Sequence, residues 1–120
     1  MHDPGPDAKA LRPFVPARDF AASRAFYEEL GFRTGYDDGK IAVLSLGPCA
    51  FLLQDFYVKD WAENSMLQLF VRDLDAWWSR VEALDLPARY GVNRPTPPRD
   101  EPWGMRVSYL WDPAGVLWHI

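Results

Sequence analysis

The chain has 120 residues, a formal net charge of −4, 48% hydrophobic, 25% charged and 15% aromatic residues, and one cysteine, Cys49. This is the size and balance of one ordinary globular domain with a substantial core. It excludes an internal disulfide and a multi-cysteine zinc site, carries no basic run of the kind nucleic acid demands, and has no apolar stretch long enough to span a membrane.

Residues 1 to 10, MHDPGPDAKA, are polar and rich in proline and glycine. They lack the basic and apolar regions of a signal peptide, so they read as a flexible tail and the protein as cytoplasmic. His2, in that tail, is assigned no role. The domain is expected to occupy residues 11 to 120.

A repeat organises that span. VPARDFAASRAFYEELGF (15 to 32) and LFVRDLDAWWSRVEALDL (69 to 86) align at a shift of 54, which superposes Arg18-Asp19 on Arg72-Asp73, Glu28 on Glu82 and Leu30 on Leu84. Each copy reads as a short apolar strand, a turn and an amphipathic helix. Asp19 and Asp73 are the natural N-caps. Ala22, Phe26 and Leu30 form the apolar stripe of the first helix. Leu74, Trp77, Val81 and Leu84 form that of the second. Gly31 suits a left-handed helix terminus.

Strand material follows each helix. FRTGY, a turn at Asp38-Gly39, IAVLSL, a break at Gly47-Pro48 and CAFLLQDFY follow the first. LPARYGV, a polar loop NRPTPPRDEP, MRVSYLW and a DPAG turn leading into VLWHI follow the second. Asp112, Pro113 and Gly115 occupy turn positions where each is favoured. The chain therefore reads βαβββ twice, an α+β arrangement with one module over about 11 to 60 and the other over about 65 to 120.

That duplicated pattern resembles the vicinal oxygen chelate superfamily, which groups glyoxalase I, bleomycin-resistance proteins and extradiol dioxygenases. PARDFAASRAFYEELGF, LFVRDLDAWW and PWGMRVSYLWDPAGVLWHI carry the resemblance, and the first is most similar to the opening of bleomycin-resistance proteins. The resemblance implies two tandem modules forming curved mixed sheets around a cavity, and a homodimer that completes two such cavities. Two-fold dimers are also the commonest closed assemblies.

The enzymes of that superfamily hold a divalent metal at four strand positions. The resemblance places these at Arg12, Gln54 (Leu53 if the register slips by one), Met66 and His119. A guanidinium has no lone pair to donate, and Met suits soft ions. A catalytic zinc needs about three protein ligands. No metal and no cofactor are therefore expected, Gln54 and His119 being the two weak candidates.

Without a metal, the implied function is a small-molecule binder of the bleomycin-resistance type. Its candidate wall residues are Arg12, Gln54, Phe56, Tyr57, Met66, Trp103, Arg106 and His119. Phe56, Tyr57 and Trp61 alternate with Asp55 and Asp60, a pattern that suits a flat cation and equally describes a solvated loop. Arg12 and Arg106 would favour an anion. The alternative is an enzyme of the lactoylglutathione-lyase or dioxygenase kind, with an atypical site around His119 and Gln54. Strand alternation puts Leu117 and His119 on one face and Trp118 and Ile120 on the other. His119 is then either a cavity residue or a strand histidine bonded to a neighbour.

Overall fold

The computed structural model describes residues 6 to 120, so His2 lies outside the described residues. β1 (Phe14–Pro16) leads into α1 (Phe20–Leu30), β2 (Arg33–Asp37), β3 (Ile41–Leu46) and β4 (Cys49–Gln54). A short α2 (Lys59–Asn64) connects to β5 (Met66–Gln68), α3 (Leu74–Ala83) and α4 (Leu86–Tyr90). The chain ends with β6 (Arg99–Asp100), β7 (Arg106–Val107), β8 (Tyr109–Trp111) and β9 (Leu117–His119).

Both helices of the repeat begin as their sequences require. The carboxylate of Asp19 accepts from the Ala22 amide at 3.1 Å, and that of Asp73 from the Ala76 amide at 3.0 Å. Each satisfies a first-turn donor that has no partner within the helix. α1 stops at Gly31, which sits at φ 112 and returns its amide to the Glu28 carbonyl. That backbone conformation excludes most residues with a Cβ.

The strands form two sheets of the same plan. The first has the order β1-β4-β3-β2 and the second the order β5-β9-β8, while β6 and β7 make a separate hairpin. In each sheet the strand before the helix runs parallel to the last strand of its repeat: Phe14 faces Leu52, and Met66 faces Leu117. The remaining pairs are antiparallel. This is the α+β architecture with mixed sheets read from the repeat.

The second repeat departs from strict duplication. LPARYGV, expected as strand, is the helix α4. Pro87 falls in its first turn, where the missing amide costs nothing, and Gly91 caps its end at φ 69. The loop after β4, expected to be irregular, contains α2.

The core lies where the two sheets meet. Phe26 and Tyr27 of α1, Phe32, Phe51 of β4 and Trp118 of β9 are buried together. Their neighbouring rings sit edge to face at 4.8 to 5.9 Å between centroids. Such geometry adds to area burial. A polar thread runs through this cluster. The Tyr27 hydroxyl donates to Asp112 at 2.5 Å and accepts from the Trp118 indole at 2.9 Å. The other carboxylate oxygen of Asp112 accepts the amides of Ala114 and Val116, both at 2.9 Å, and so fixes the turn before β9. At the opposite end Glu29 of α1 receives Arg89 and the Tyr90 hydroxyl of α4.

Candidate functional site

β9 is organised by Trp118. Its ring points into the aromatic core, so period-two alternation turns Leu117 and His119 to the opposite face. Register then lines up side chains across that face. Gln68, His119 and Tyr109 form one row, and Met66, Leu117 and Trp111 the next. The His119 and Tyr109 rings meet edge to face at 5.0 Å. The Nε2 of His119 is buried and has no hydrogen-bond partner among the described residues. A buried, unpaired polar atom is costly enough that it marks a place where an outside partner fits.

A cavity of about 500 Å³ opens beside this row, bounded by the ends of β5 and β9, the start of α3, and β7. Its apolar floor includes Leu69, Val107 and Ile120. Its polar lining is Gln68, Arg72, Asp73, Asp75, Arg106 and His119. Arg106 donates to Asp75 at 2.7 Å across the mouth. That hydrogen bond and charge hold the Asp75 carboxyl below the usual carboxylate range.

The first sheet offers a second hollow on its own outer face. Phe14, Pro16, Gln54, Phe56, Val58 and Trp61 surround about 250 Å³. The Phe56 and Trp61 rings lie 6.1 Å apart at 44°. Phe14 is 59% exposed and Trp61 66%, so this aromatic face has no cover among the described residues.

The eight expected wall residues therefore divide. Arg106 and His119 share the larger cavity, and Gln54 and Phe56 share the smaller. Arg12 borders a third hollow with Lys9 and Cys49. Met66 lies on the His119 face, two residues from the histidine's own row, and is exposed. Trp103 is exposed at the tip of the β6–β7 hairpin. Tyr57 packs against the core with the Arg18 guanidinium over its ring at 5.9 Å.

The residues that sequence reasoning missed are Gln68, Tyr109 and Arg72. Gln68 was legible, because counting two along from Met66 reaches the same face. Tyr109 depends on the pairing of β8 with β9, which no local pattern specifies.

The side chains at the four positions that the resemblance assigns to a metal are a poor donor set for a divalent ion. Arg12, Gln54, Met66 and His119 provide one strong ligand, and Gln54 and His119 line different hollows of the chain. Among the described residues, no three His, Cys, Asp or Glu side chains converge as ligands.

Two repeated units, each pairing its first strand parallel to its last, define the class of protein. The family model described as Glyoxalase/Bleomycin resistance protein/Dioxygenase superfamily matches residues 10–120, and the chain belongs to that superfamily. Among solved structures, it is similar to a bleomycin-binding protein complexed with bleomycin (25% identity, TM-score 0.81, 93% of this chain and 96% of that one). It is similar to a bleomycin resistance determinant encoded on the transposon Tn5 (25%, 0.80, 93% and 95%). It is also similar to the bleomycin-binding protein of bleomycin-producing Streptomyces verticillus complexed with copper(II)-bleomycin (26%, 0.72, 94% and 96%). No curated protein matches it in sequence.

Proposed function

We propose that this protein is a metal-independent small-molecule binder of the bleomycin-resistance type, acting in the cytoplasm and holding its ligand in a cavity completed by a second copy of the chain. One observation carries the reading: both sheets carry exposed aromatic or large apolar side chains beside hollows that hold Gln54 on one sheet and His119 on the other. Phe14, Trp61, Met66, Phe70 and Trp103 are all more than half exposed, more large apolar surface than a monomer needs to show. Pairing the first sheet of one copy with the second sheet of another would cover these groups and bring Gln54 and His119 to a common cavity. The similar bleomycin-binding structures support the ligand-binding part of the reading. No helix among the described residues is long and apolar enough to cross a membrane, and no nucleic acid partner is expected.

The test uses tag-free protein stripped with a chelator. Its metal content is measured by elemental mass spectrometry before and after dialysis against Zn²⁺, Ni²⁺ and Fe²⁺. Metal-free bleomycin is then titrated, with tryptophan fluorescence as the signal and sedimentation giving the oligomeric state. Well under one metal per chain, a dimer and saturable binding without metal are expected. One tightly held metal per chain, or binding that appears only with metal, would overturn the reading and bring forward an enzyme built on His119 and Gln54.

A further inference from the structure

We infer that the cavity beside β5, β7 and β9 takes the acidic group of an amphipathic organic anion, a carboxylate on an apolar body, held by Arg72, Arg106 and His119. This rests on the binding function proposed above and narrows its ligand class.

The argument is an inventory of which polar groups are already used. Two carboxylates line the cavity, and each accepts one hydrogen bond through its Oδ1 inside the protein, which leaves one oxygen apiece. Asp73 caps α3 through the Ala76 amide, and Asp75 accepts from Arg106. The cationic groups are less occupied. Arg72 is exposed and forms no ion pair among the described residues. Arg106 meets Asp75 through a single nitrogen, Nη2, which leaves most of its five-donor fork free. The Nε2 of His119 is buried without a partner. Among the described residues the Gln68 amide nitrogen reaches only the Met105 sulfur, at 4.0 Å, a weak acceptor. The formal charges of the lining balance, two arginines against two aspartates, but the free donors of Arg72, Arg106, Gln68 and His119 outnumber the two free carboxylate oxygens.

An ammonium group here would meet two guanidiniums, and each neighbouring carboxylate already has one oxygen engaged. A carboxylate meets complementary charge on Arg72 and Arg106, and His119 donates to it when its ring proton sits on Nε2. Guanidinium is well matched to that role, because its planar fork fits a carboxylate with two parallel hydrogen bonds. The apolar floor of Leu69, Val107 and Ile120 supplies a dry surface for the body of the ligand. A volume near 500 Å³ is that of an ordinary small-molecule site.

Three probes of equal length test this: 4-phenylbutanoate, 4-phenylbutan-1-ol and 4-phenylbutylamine. Each is titrated by calorimetry into the wild-type chain, Arg72→Gln and Arg106→Gln. Both arginines are exposed, and thermal denaturation confirms that the variants fold. The carboxylate is expected to bind at least about tenfold more tightly than the alcohol, and the amine least of all. Each substitution should weaken the carboxylate about tenfold or more, the usual effect of losing a hydrogen bond to a charged group, and leave the alcohol unchanged. Equal binding of amine and carboxylate, or a carboxylate indifferent to both substitutions, overturns the anion assignment and leaves the binding function standing. No binding by any of the three probes or by bleomycin overturns both.

Discussion

Replacing Asp112 by alanine is expected to lower the stability of the fold by about 3 to 5 kcal/mol, most of what a domain of this size possesses. The side chain is 2% exposed and serves three donors at once: the Tyr27 hydroxyl and the amides of Ala114 and Val116. Alanine leaves all three buried and unpaired. Asp112→Asn should behave differently, because its amide keeps an oxygen for the two backbone donors. Its nitrogen donates to the Tyr27 oxygen once that hydroxyl rotates, and no charge is buried.

The pH dependence of stability separates the two explanations, lost hydrogen bonds and lost charge. Burial pushes the Asp112 carboxyl up to about 6 from the ordinary 3.8, against the opposing pull of its hydrogen bonds. The folded protein therefore binds a proton that the unfolded chain has released between about pH 4 and 6, so stability falls as pH rises through that window. The span corresponds to about 3 kcal/mol. Asp37, Asp38 and Asp75 act in the other direction, since backbone amides hold the first two below their usual range and Arg106 holds the third. Their contributions are lost in stronger acid. Urea denaturation from pH 3 to 8 should show wild-type stability rising from neutral pH to a maximum on the acid side. Asp112→Asn should lack that rise. Matching profiles for the two proteins would show that Asp112 titrates as an ordinary carboxylate.

The motif DPAG displayed its turn in the sequence but not the rest of its role. Asp112 caps that turn through local amides, which a pattern reveals. Its other oxygen reaches Tyr27, 85 residues earlier. No spacing rule reaches that far. The same division runs through the molecule. The N-caps Asp19 and Asp73, the glycine at position 31 and the DPAG turn are local devices, and each is found where its residues predict. α4 reads as strand because Leu86, Tyr90 and Val92 are strand-favouring residues, although Pro87 suits the first turn of a helix better than a strand interior. The hollows depend on which strands pair, so Arg106 and His119 come together while Gln54 and Phe56 gather on the other sheet. The repeat itself was the most informative sequence feature, because it showed two units of the same plan, each with a strand before its helix and strands after it.

Two neighbouring substitutions in β9 should have opposite consequences. Trp118→Ala removes a ring packed against Tyr27, Phe32 and Phe51, and it takes from Tyr27 the indole donor that completes the buried network. A loss of about 3 to 5 kcal/mol is expected, as for other large aromatic truncations in a core. His119→Ala removes a ring whose buried nitrogen has no partner, so the fold should change by no more than about 1 kcal/mol. Ligand binding, in contrast, should weaken at least about tenfold, because a hydrogen-bonding group is lost from the wall of the cavity. Urea denaturation and a binding titration on both variants decide the matter. If His119→Ala unfolded as readily as Trp118→Ala, the histidine would be part of the core and the facing of β9 would be wrong. If it were stable and bound as tightly as the wild type, His119 would be only a strand residue. A stable protein that no longer binds is what one strand produces when it presents its core to one side and its chemistry to the other.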